Sequence, residues 1–515
     1  MNPRLQSALD QLPDLLTAHL QLTLLAITLA TAISVPLGVF AVRRERLKQP
    51  ILAVAGVIQT IPALALLAVM VPTLSGLGLP GIGFLPALLG LTLYCLLPIL
   101  WGTVTGLSEV DPAMIDAARG VGMDDHQRLR LVEFPLAMPV LVSGLRTSTV
   151  WGVGMATLST PIGAPSLGHL IFSGLQTRNY TAVLVGCIAA AVLSQLLDRL
   201  VQGLEVGFSR RRPKLLWFSG CALAALALFA LVSAVLTGST QRSEPVRIGG
   251  KAFTEQYILG EILGQEVGVL GLPVEQTPSL GSSVVFDALD RGDIDLYVDY
   301  SGTIWTMVMG RKEIPTQRAL VLKEVQTYLQ RAHDITVVAA LGYENTYALA
   351  MPEKLAAQHG ITTISDLARV SQRMEIGGDF EFFERPEWRA LQSTYGLVFA
   401  ENRAMETALL YQAAEQGKVA VITAYSTDGR LSAFHMRVLI DDLGAIPPYD
   451  AILLASAQLS KRYPEVIRQL SRLEGKVSAK AMRELNDRVD LHEEAPETAA
   501  QTFRQTLPWV QGSRD

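Results

Sequence analysis

From Gln49 to Ser108 the chain carries no Asp, Glu, Lys, Arg or His, and a second charge-free run extends from Leu215 to Gln241. Such segments aggregate in water, whereas about 20 apolar residues rising about 1.5 Å each cross a bilayer core. Beyond Arg242 the sequence returns to ordinary globular patterning. One polypeptide therefore joins a membrane unit to a water-soluble unit.

The 515 residues leave room for two or three domains, and the 50% hydrophobic content lies above the soluble average. A formal charge of -5 argues against nucleic acid as a partner. The three cysteines, Cys95, Cys187 and Cys221, lie in apolar stretches. The soluble half has none, so no disulfide is expected to hold it. The N-terminus lacks the basic cluster, short apolar core and cleavage site of a removed signal peptide, and Leu20 to Val42 is long enough to stay in the membrane.

Hydropathy predicts six helices near 20–42, 51–74, 84–107, 137–160, 180–201 and 215–238. Fixed positive charge gathers in three loops: Arg43, Arg44, Arg46 and Lys48; Arg119, Arg128 and Arg130; Arg210, Arg211, Arg212 and Lys214. The alternate loops hold little beyond Arg178. These basic loops follow the first, third and fifth spans, so the positive-inside rule places them in the cytoplasm and the C-terminal domain outside. Pro36, Pro62, Pro72, Pro98 and Pro139 lie in or near the spans. Each removes a backbone donor and is expected to kink its helix, a pattern suited to a moving permease.

Between the third and fourth spans lies Ile115-Asp-Ala-Ala-Arg-Gly-Val-Gly122, then nine residues, then Val132-Glu-Phe-Pro135. An amphipathic segment closed by Gly and followed by Pro at a membrane re-entry reads as a short surface helix able to dock on a partner. This stretch resembles the coupling loop of ABC-importer permeases, with Asp116 in place of the family's Glu, Val132 of its Ile and Phe134 of its Leu. The resemblance implies that Asp116, Ala117, Ala118, Gly122 and Pro135 belong to the contact with a cytoplasmic ATPase subunit. No Gly-x-x-x-x-Gly-Lys-Ser/Thr occurs, so this chain lacks that phosphate-cradling loop. ATP and Mg are expected on a separate subunit, with no cofactor on this chain.

In the soluble half, strand signals at Val246–Gly250, Asp295–Asp299, Thr336–Ala340, Tyr347–Met351 and Val419–Ala424 alternate with helical stretches. That order predicts an α/β architecture in two lobes. Lys251-Ala-Phe-Thr-Glu-Gln-Tyr-Ile-Leu-Gly260, Phe286 to Thr303, Tyr343-Glu-Asn-Thr-Tyr-Ala-Leu-Ala350 and Ala424-Tyr-Ser-Thr-Asp-Gly-Arg430 resemble the binding proteins of osmoprotectant ABC importers. Those take up glycine betaine, choline, carnitine and related quaternary ammonium compounds, and similar fused proteins import ergothioneine. The resemblance implies a polytopic all-α permease fused to a two-lobed periplasmic-binding-protein domain of type II. The expected domains are a permease unit at 1–214 with its coupling loop at 109–135, a last span and linker at 215–242, and an external binding domain at 243–515. Its lobes comprise approximately 243–343 plus 447–515, and 344–446. A homodimer in the membrane is also implied.

A trimethylammonium group has charge but no N–H donor, so electron-rich aromatic faces hold it better than hydrogen bonds do. At roughly 0.5–2 kcal/mol per contact, four rings supply several of the approximately 8 kcal/mol needed for micromolar binding. By resemblance the cage residues are Tyr300, Tyr347, Tyr425 and Tyr449, and Arg385 is the carboxylate-binding arginine, its planar fork suited to two oxygens. Gln256 and Thr254 are expected beside the cleft, with Asn345 orienting the ligand. Glu387-Trp388 after Pro386 and Glu344 depart from the family pattern and add negative charge, which favours a bulkier or differently polar betaine; ergothioneine is a contender because similar fused proteins import it. A membrane receptor for such ligands is the alternative of another class, but one or two spans would suffice for it. No metal or catalytic-triad spacing supports an enzyme, and only seven His occur in the chain.

Overall fold

The computed structural model describes residues 3–177, 179–239, 244–311 and 317–511. Arg178, and Arg242 where the composition changes, lie outside the described residues. The chain forms two compact units, one built on Leu5–Phe172 and Thr181–Arg242, the other mainly on Ser243–Asp515.

The membrane unit is helical throughout: α1 (Pro3–Arg43), α2 (Glu45–Thr60), α3 (Ala63–Gly76), α4 (Phe84–Ser108), α5 (Pro112–Gly120), α6 (Asp125–Arg128), a π turn (Leu129–Glu133), α7 (Phe134–Ala156), α8 (Gly168–Gln176), α9 (Tyr180–Ser209) and α10 (Pro213–Ser239). The single span expected at 51–74 is instead the pair α2 and α3, which meet at 98°. The break has a local cause. Ile61 precedes Pro62, whose ring drives its neighbour into extended backbone, φ -69° and ψ 128°. The Ile61 carbonyl, freed by the break, accepts the Tyr94 hydroxyl of α4. Pro36, Pro72, Pro98 and Pro139 all lie inside continuous helices, so of the five prolines only Pro62 ends one.

By length and composition four described helices can cross a membrane, five if the bent pair counts as one span. The stretch expected to span at 137–160 is not among them. Its helix, α7, is interrupted by polar residues including Arg146, which reaches Asp198 of α9 at 2.6 and 3.0 Å. This helix lies against α4 rather than presenting a uniformly apolar surface. A Cβ added at Gly144 would stand 2.4 Å from the Pro98 carbonyl oxygen, and one at Gly102 would stand 3.1 Å from the Gly144 Cα. Glycines thus let the two backbones touch.

The second unit holds two five-stranded mixed sheets. One has the order β2 (Val274–Leu280), β1 (Val246–Lys251), β3 (Leu296–Tyr300), β10 (Asp450–Ala455), β4 (Thr336–Glu344). The other runs β7 (Glu401–Ala404), β6 (Glu375–Gly378), β8 (Val421–Tyr425), β5 (Tyr347–Pro352), β9 (Met436–Val438). The chain crosses between sheets after β4, through Asn345 and Thr346, and returns between β9 and β10. Helix α11 (Thr254–Gly268) covers the first sheet, burying Ile258, Leu259, Ile262, Leu263 and Val267 against β1 and its neighbours.

Candidate functional site

The site is assembled from strand ends near the two crossings. Tyr300 closes β3, Tyr347 opens β5, Tyr425 closes β8 and Tyr449 immediately precedes β10. Antiparallel pairing sets Tyr347 opposite Tyr425. Their rings therefore meet at 4.9 Å, and the Tyr425 hydroxyl donates to the Tyr347 hydroxyl at 3.2 Å. Tyr449 stands edge-on to Tyr347 at 6.0 Å and 83°. Phe253, just before α11, completes the chain of rings, stacked on Tyr425 at 5.4 Å and on Tyr300 at 6.3 Å. All four expected tyrosines thus fall in one aromatic cluster drawn from both sheets. Burial raises the pKa of all four phenols, so the rings stay neutral and keep their hydroxyl protons. The Lys251 ammonium, paired with Asp299 at 2.5 Å, lies 5.5 Å from the centre of the Tyr300 ring.

Arg385 caps the helix Pro386–Tyr395, and its guanidinium lies 5.0 Å from the Tyr347 ring centre. Two of its nitrogens are paired, Nη1 with Glu381 at 3.2 Å and Nε with Glu387 at 3.3 Å. Its Nη2 is buried without a hydrogen-bond partner among the described residues. A ligand carboxylate is the group such a nitrogen suits.

Two buried carboxylates tie the sheets together in opposite directions. Glu387, from a helix of the second sheet, accepts the hydroxyls of Thr306 at 2.8 Å and of Tyr449, both belonging with the first sheet. Glu255, on the first turn of α11, accepts Thr427 at 2.5 Å from the loop after β8. The other donors to Glu255 are Tyr300 at 2.6 Å, Tyr343 at 2.7 Å, Asn345 at 3.1 Å and Asn486 at 3.2 Å. Five donors compensate the burial of this charge, which alone would cost several kcal/mol.

The remaining expected residues act around this core. Gln256 donates to the Tyr300 hydroxyl and the Val298 carbonyl, both at 3.1 Å, so it orients that ring. Thr254 donates to Asp490 at 2.7 Å. A small cavity lies beside the rings, lined by Phe253, Glu255, Asn345, Tyr425, Thr427 and Arg430 among others. Asn345 Oδ1 and Arg430 Nη1 are buried there without partners among the described residues. Phe253 and Glu255 were not expected as site residues, although both lie in the Lys251-Ala-Phe-Thr-Glu-Gln block that carried the resemblance. Glu344 lies apart from the cluster, paired with Arg318 at 2.7 Å, and burial raises its pKa.

In the membrane unit, Asp111 caps α5 by accepting the Ala113 amide at 2.9 Å, and Gly122 ends the segment with φ +85°. Asp116, Ala117 and Gly122 are exposed, Ala118 is buried, and Pro135 is exposed in the first turn of α7. Met114 and Val121 add exposed apolar side chains to the same segment, 51% and 74% accessible. A solvent-facing helix with apolar residues of this kind suits docking into a protein groove.

Residues 244–506 match the family described as the substrate-binding domain of ABC-type glycine betaine transport systems. Residues 34–210 match the inner membrane component of binding-protein-dependent transport systems. The chain is 32% identical over 491 residues to an ergothioneine transport permease/ergothioneine binding protein of Helicobacter pylori, covering 93% of this chain and 87% of that one. It is 41% identical over 195 residues to an osmoprotectant import permease of Salmonella typhimurium, across 38% of this chain and 90% of the relative. A carnitine transport binding protein of Listeria monocytogenes is 30% identical over 302 residues, across 58% of this chain and 94% of its own length. The chain therefore belongs to the ABC-type glycine betaine transport family, and it is a transporter component that unites in one polypeptide a multi-pass inner-membrane permease and the substrate-binding domain that serves it.

Proposed function

We propose that this chain captures a quaternary ammonium solute at the Tyr300, Tyr347, Tyr425 and Tyr449 cluster and passes it across the membrane by the ATP cycle of a separate subunit. The observation that supports this most is the convergence of four tyrosines from four strand ends beside Arg385, whose buried Nη2 has no hydrogen-bond partner among the described residues. Neutral ring faces suit a methylated cation, and Arg385 suits the carboxylate that betaines carry at the other end. Gln256 fixes the Tyr300 hydroxyl, Asn345 and Thr254 border the cleft, and Glu255 and Glu387 join the sheets around the ligand.

In the working assembly two copies pair in the membrane, each with an ATPase subunit engaged at Asp116, Ala117, Ala118, Gly122 and Pro135. The binding domain faces the outside, a placement that the basic loops of the permease half favour under the positive-inside rule. Lobes closing on solute there deliver it to the outer mouth of the permease. Within this scheme ergothioneine is the second reading of the substrate. It is favoured by a relative of that name matching 93% of the chain.

Calorimetry on the full chain in detergent, with glycine betaine, choline, carnitine, proline betaine and ergothioneine, tests the proposal. At least one is expected to bind at micromolar concentration or tighter, and its uptake into vesicles is expected to require the cognate ATPase subunit. Absence of binding by all five would refute the substrate class, and uptake that ignores loss of the ATPase would refute the coupling.

A further inference from the structure

Between the exposed α5 segment and helix α7 the chain buries two opposite charges. Glu133 and Arg128 are only 6% and 5% exposed, although both lie next to a surface segment. Leaving either alone would cost several kcal/mol. Both are paired. Arg128 gives Nε to Glu133 Oε1 at 2.7 Å and Nη1 to Asp125 at 2.9 Å. The second Glu133 oxygen takes Nη2 of Arg43, the last residue of α1, at 3.0 Å.

One carboxylate therefore stands where three elements meet. Through Arg128 it holds α6, the end of the exposed docking segment, and through Arg43 it holds the cytoplasmic end of α1. Its own backbone ends the π turn and leads directly into α7. The extra residue in that turn rotates the helical register by about 100°. Helix α7 is locked to α4 by the Gly102 and Gly144 contact, where no side chain can intervene. A displacement of α5 and α6 reaches the α7 and α4 pair through the backbone. It reaches α1 through the Arg43 ion pair.

We propose that Glu133 is the positioning residue that divides the stroke of the ATPase between these two parts of the permease, with Arg43 as its link to α1. The proposal rests on the reading that the α5 and α6 segment engages an ATPase subunit. It predicts that breaking the Arg43 link uncouples rather than disassembles the transporter: ATP is hydrolysed, but α1 no longer follows.

The test uses the full chain reconstituted in proteoliposomes with its ATPase subunit, comparing wild type, Glu133→Gln, Arg43→Gln and Arg43→Lys. Copurification and basal ATP hydrolysis report assembly, while solute taken up per ATP hydrolysed reports coupling. Because Glu133→Gln leaves Arg128 buried with a weakened partner, Arg43→Gln carries the test should the former fail to fold. Arg43→Gln is expected to assemble and hydrolyse ATP while uptake per ATP falls about tenfold, and Arg43→Lys to recover part of the loss. An unchanged uptake-to-ATP ratio in Arg43→Gln would overturn the proposal. So would loss of copurification in that variant, since the network would then merely build the docking surface. Wild-type uptake that is indifferent to the ATPase would instead sink the importer reading on which the proposal rests.

Discussion

Glu387→Gln preserves shape and removes one charge from the centre of the proposed binding site. In the protein one Glu387 oxygen serves Thr306 and Tyr449 while the other pairs with Arg385 Nε at 3.3 Å. The amide keeps an acceptor for the hydroxyls but turns an N–H toward the guanidinium. Breaking a buried ion pair in this way typically costs about 3–5 kcal/mol. The lower end is expected here, because Glu381 still pairs with Nη1 at 3.2 Å. The effect on ligands is opposite in sign. A ligand carboxylate on Nη2 would lie roughly 7 Å from Glu387 across the guanidinium, where two like charges repel by about 2 kcal/mol at an effective dielectric of about 20. The substitution removes that repulsion for glycine betaine and not for choline, which has no carboxylate. The ratio of their dissociation constants should therefore shift roughly 30-fold toward glycine betaine. Measuring both ligands by calorimetry on both proteins cancels any general loss of stability. If the two affinities change by the same factor, Arg385 does not hold the carboxylate and its assignment is refuted.

Tyr347→Ala should weaken quaternary ammonium binding by about 1–3 kcal/mol, since it removes a ring that meets Tyr425, Phe382 and Tyr449. Tyr347→Phe should lose only about 1 kcal/mol, the cost of leaving the Tyr425 hydroxyl without its acceptor; equal losses in the two variants, read by calorimetry, would exclude a role for the ring face. Stability of the second unit should also depend on Glu261, whose pKa burial raises to about 7, reinforced by nearby Glu497 and opposed by a hydrogen bond from Gln276. The folded protein retains a proton that the unfolded chain releases near pH 4.5, so stability falls as pH rises from about 4.5 to about 7 and is level above that, losing about 3 kcal/mol. In Glu261→Gln the thermal midpoint of this unit should lose that component of its pH dependence; a slope identical to wild type would show that Glu261 is solvated.

Much of the architecture was legible because it follows from composition and period. Charge-free runs identified the membrane unit, and alternating strand and helix signals identified the α/β unit. The failures have specific causes. Strand β10 reads Asp-Ala-Ile-Leu-Leu-Ala and is buried along its whole length, so it lacks the two-residue alternation that marks a half-buried strand. Pro278 in β2 argues against a strand until the sheet order shows β2 at an edge, where a missing donor is tolerated. The bend at Ile61 and Pro62 was hidden because hydropathy is blind to direction: both halves are equally apolar. Pro36 and Pro98, with the same local chemistry, sit within unbroken helices, so the proline alone does not decide where a span breaks.

The rings of the site were more legible than its charges, and the reason is physical. A tyrosine at a strand end carries its position with it, because pairing register then brings Tyr347 to Tyr425 without further information. A buried carboxylate is defined instead by donors scattered through the chain. Those of Glu255 come from residues 300, 343, 345, 427 and 486, and no sequence spacing announces that they converge. The same holds for Glu387, which in the sequence is a departure from the family pattern that adds negative charge, and in the structure is committed to Thr306, Tyr449 and Arg385. Any influence on substrate choice under the proposed function is therefore expected to pass through Arg385 and not through direct contact. A binding site of this kind separates into two parts with different logic. In the proposed site the aromatic faces select the class of cation, and the carboxylates, by occupying or releasing the Arg385 guanidinium, tune how much of a second charge the cation can bring with it.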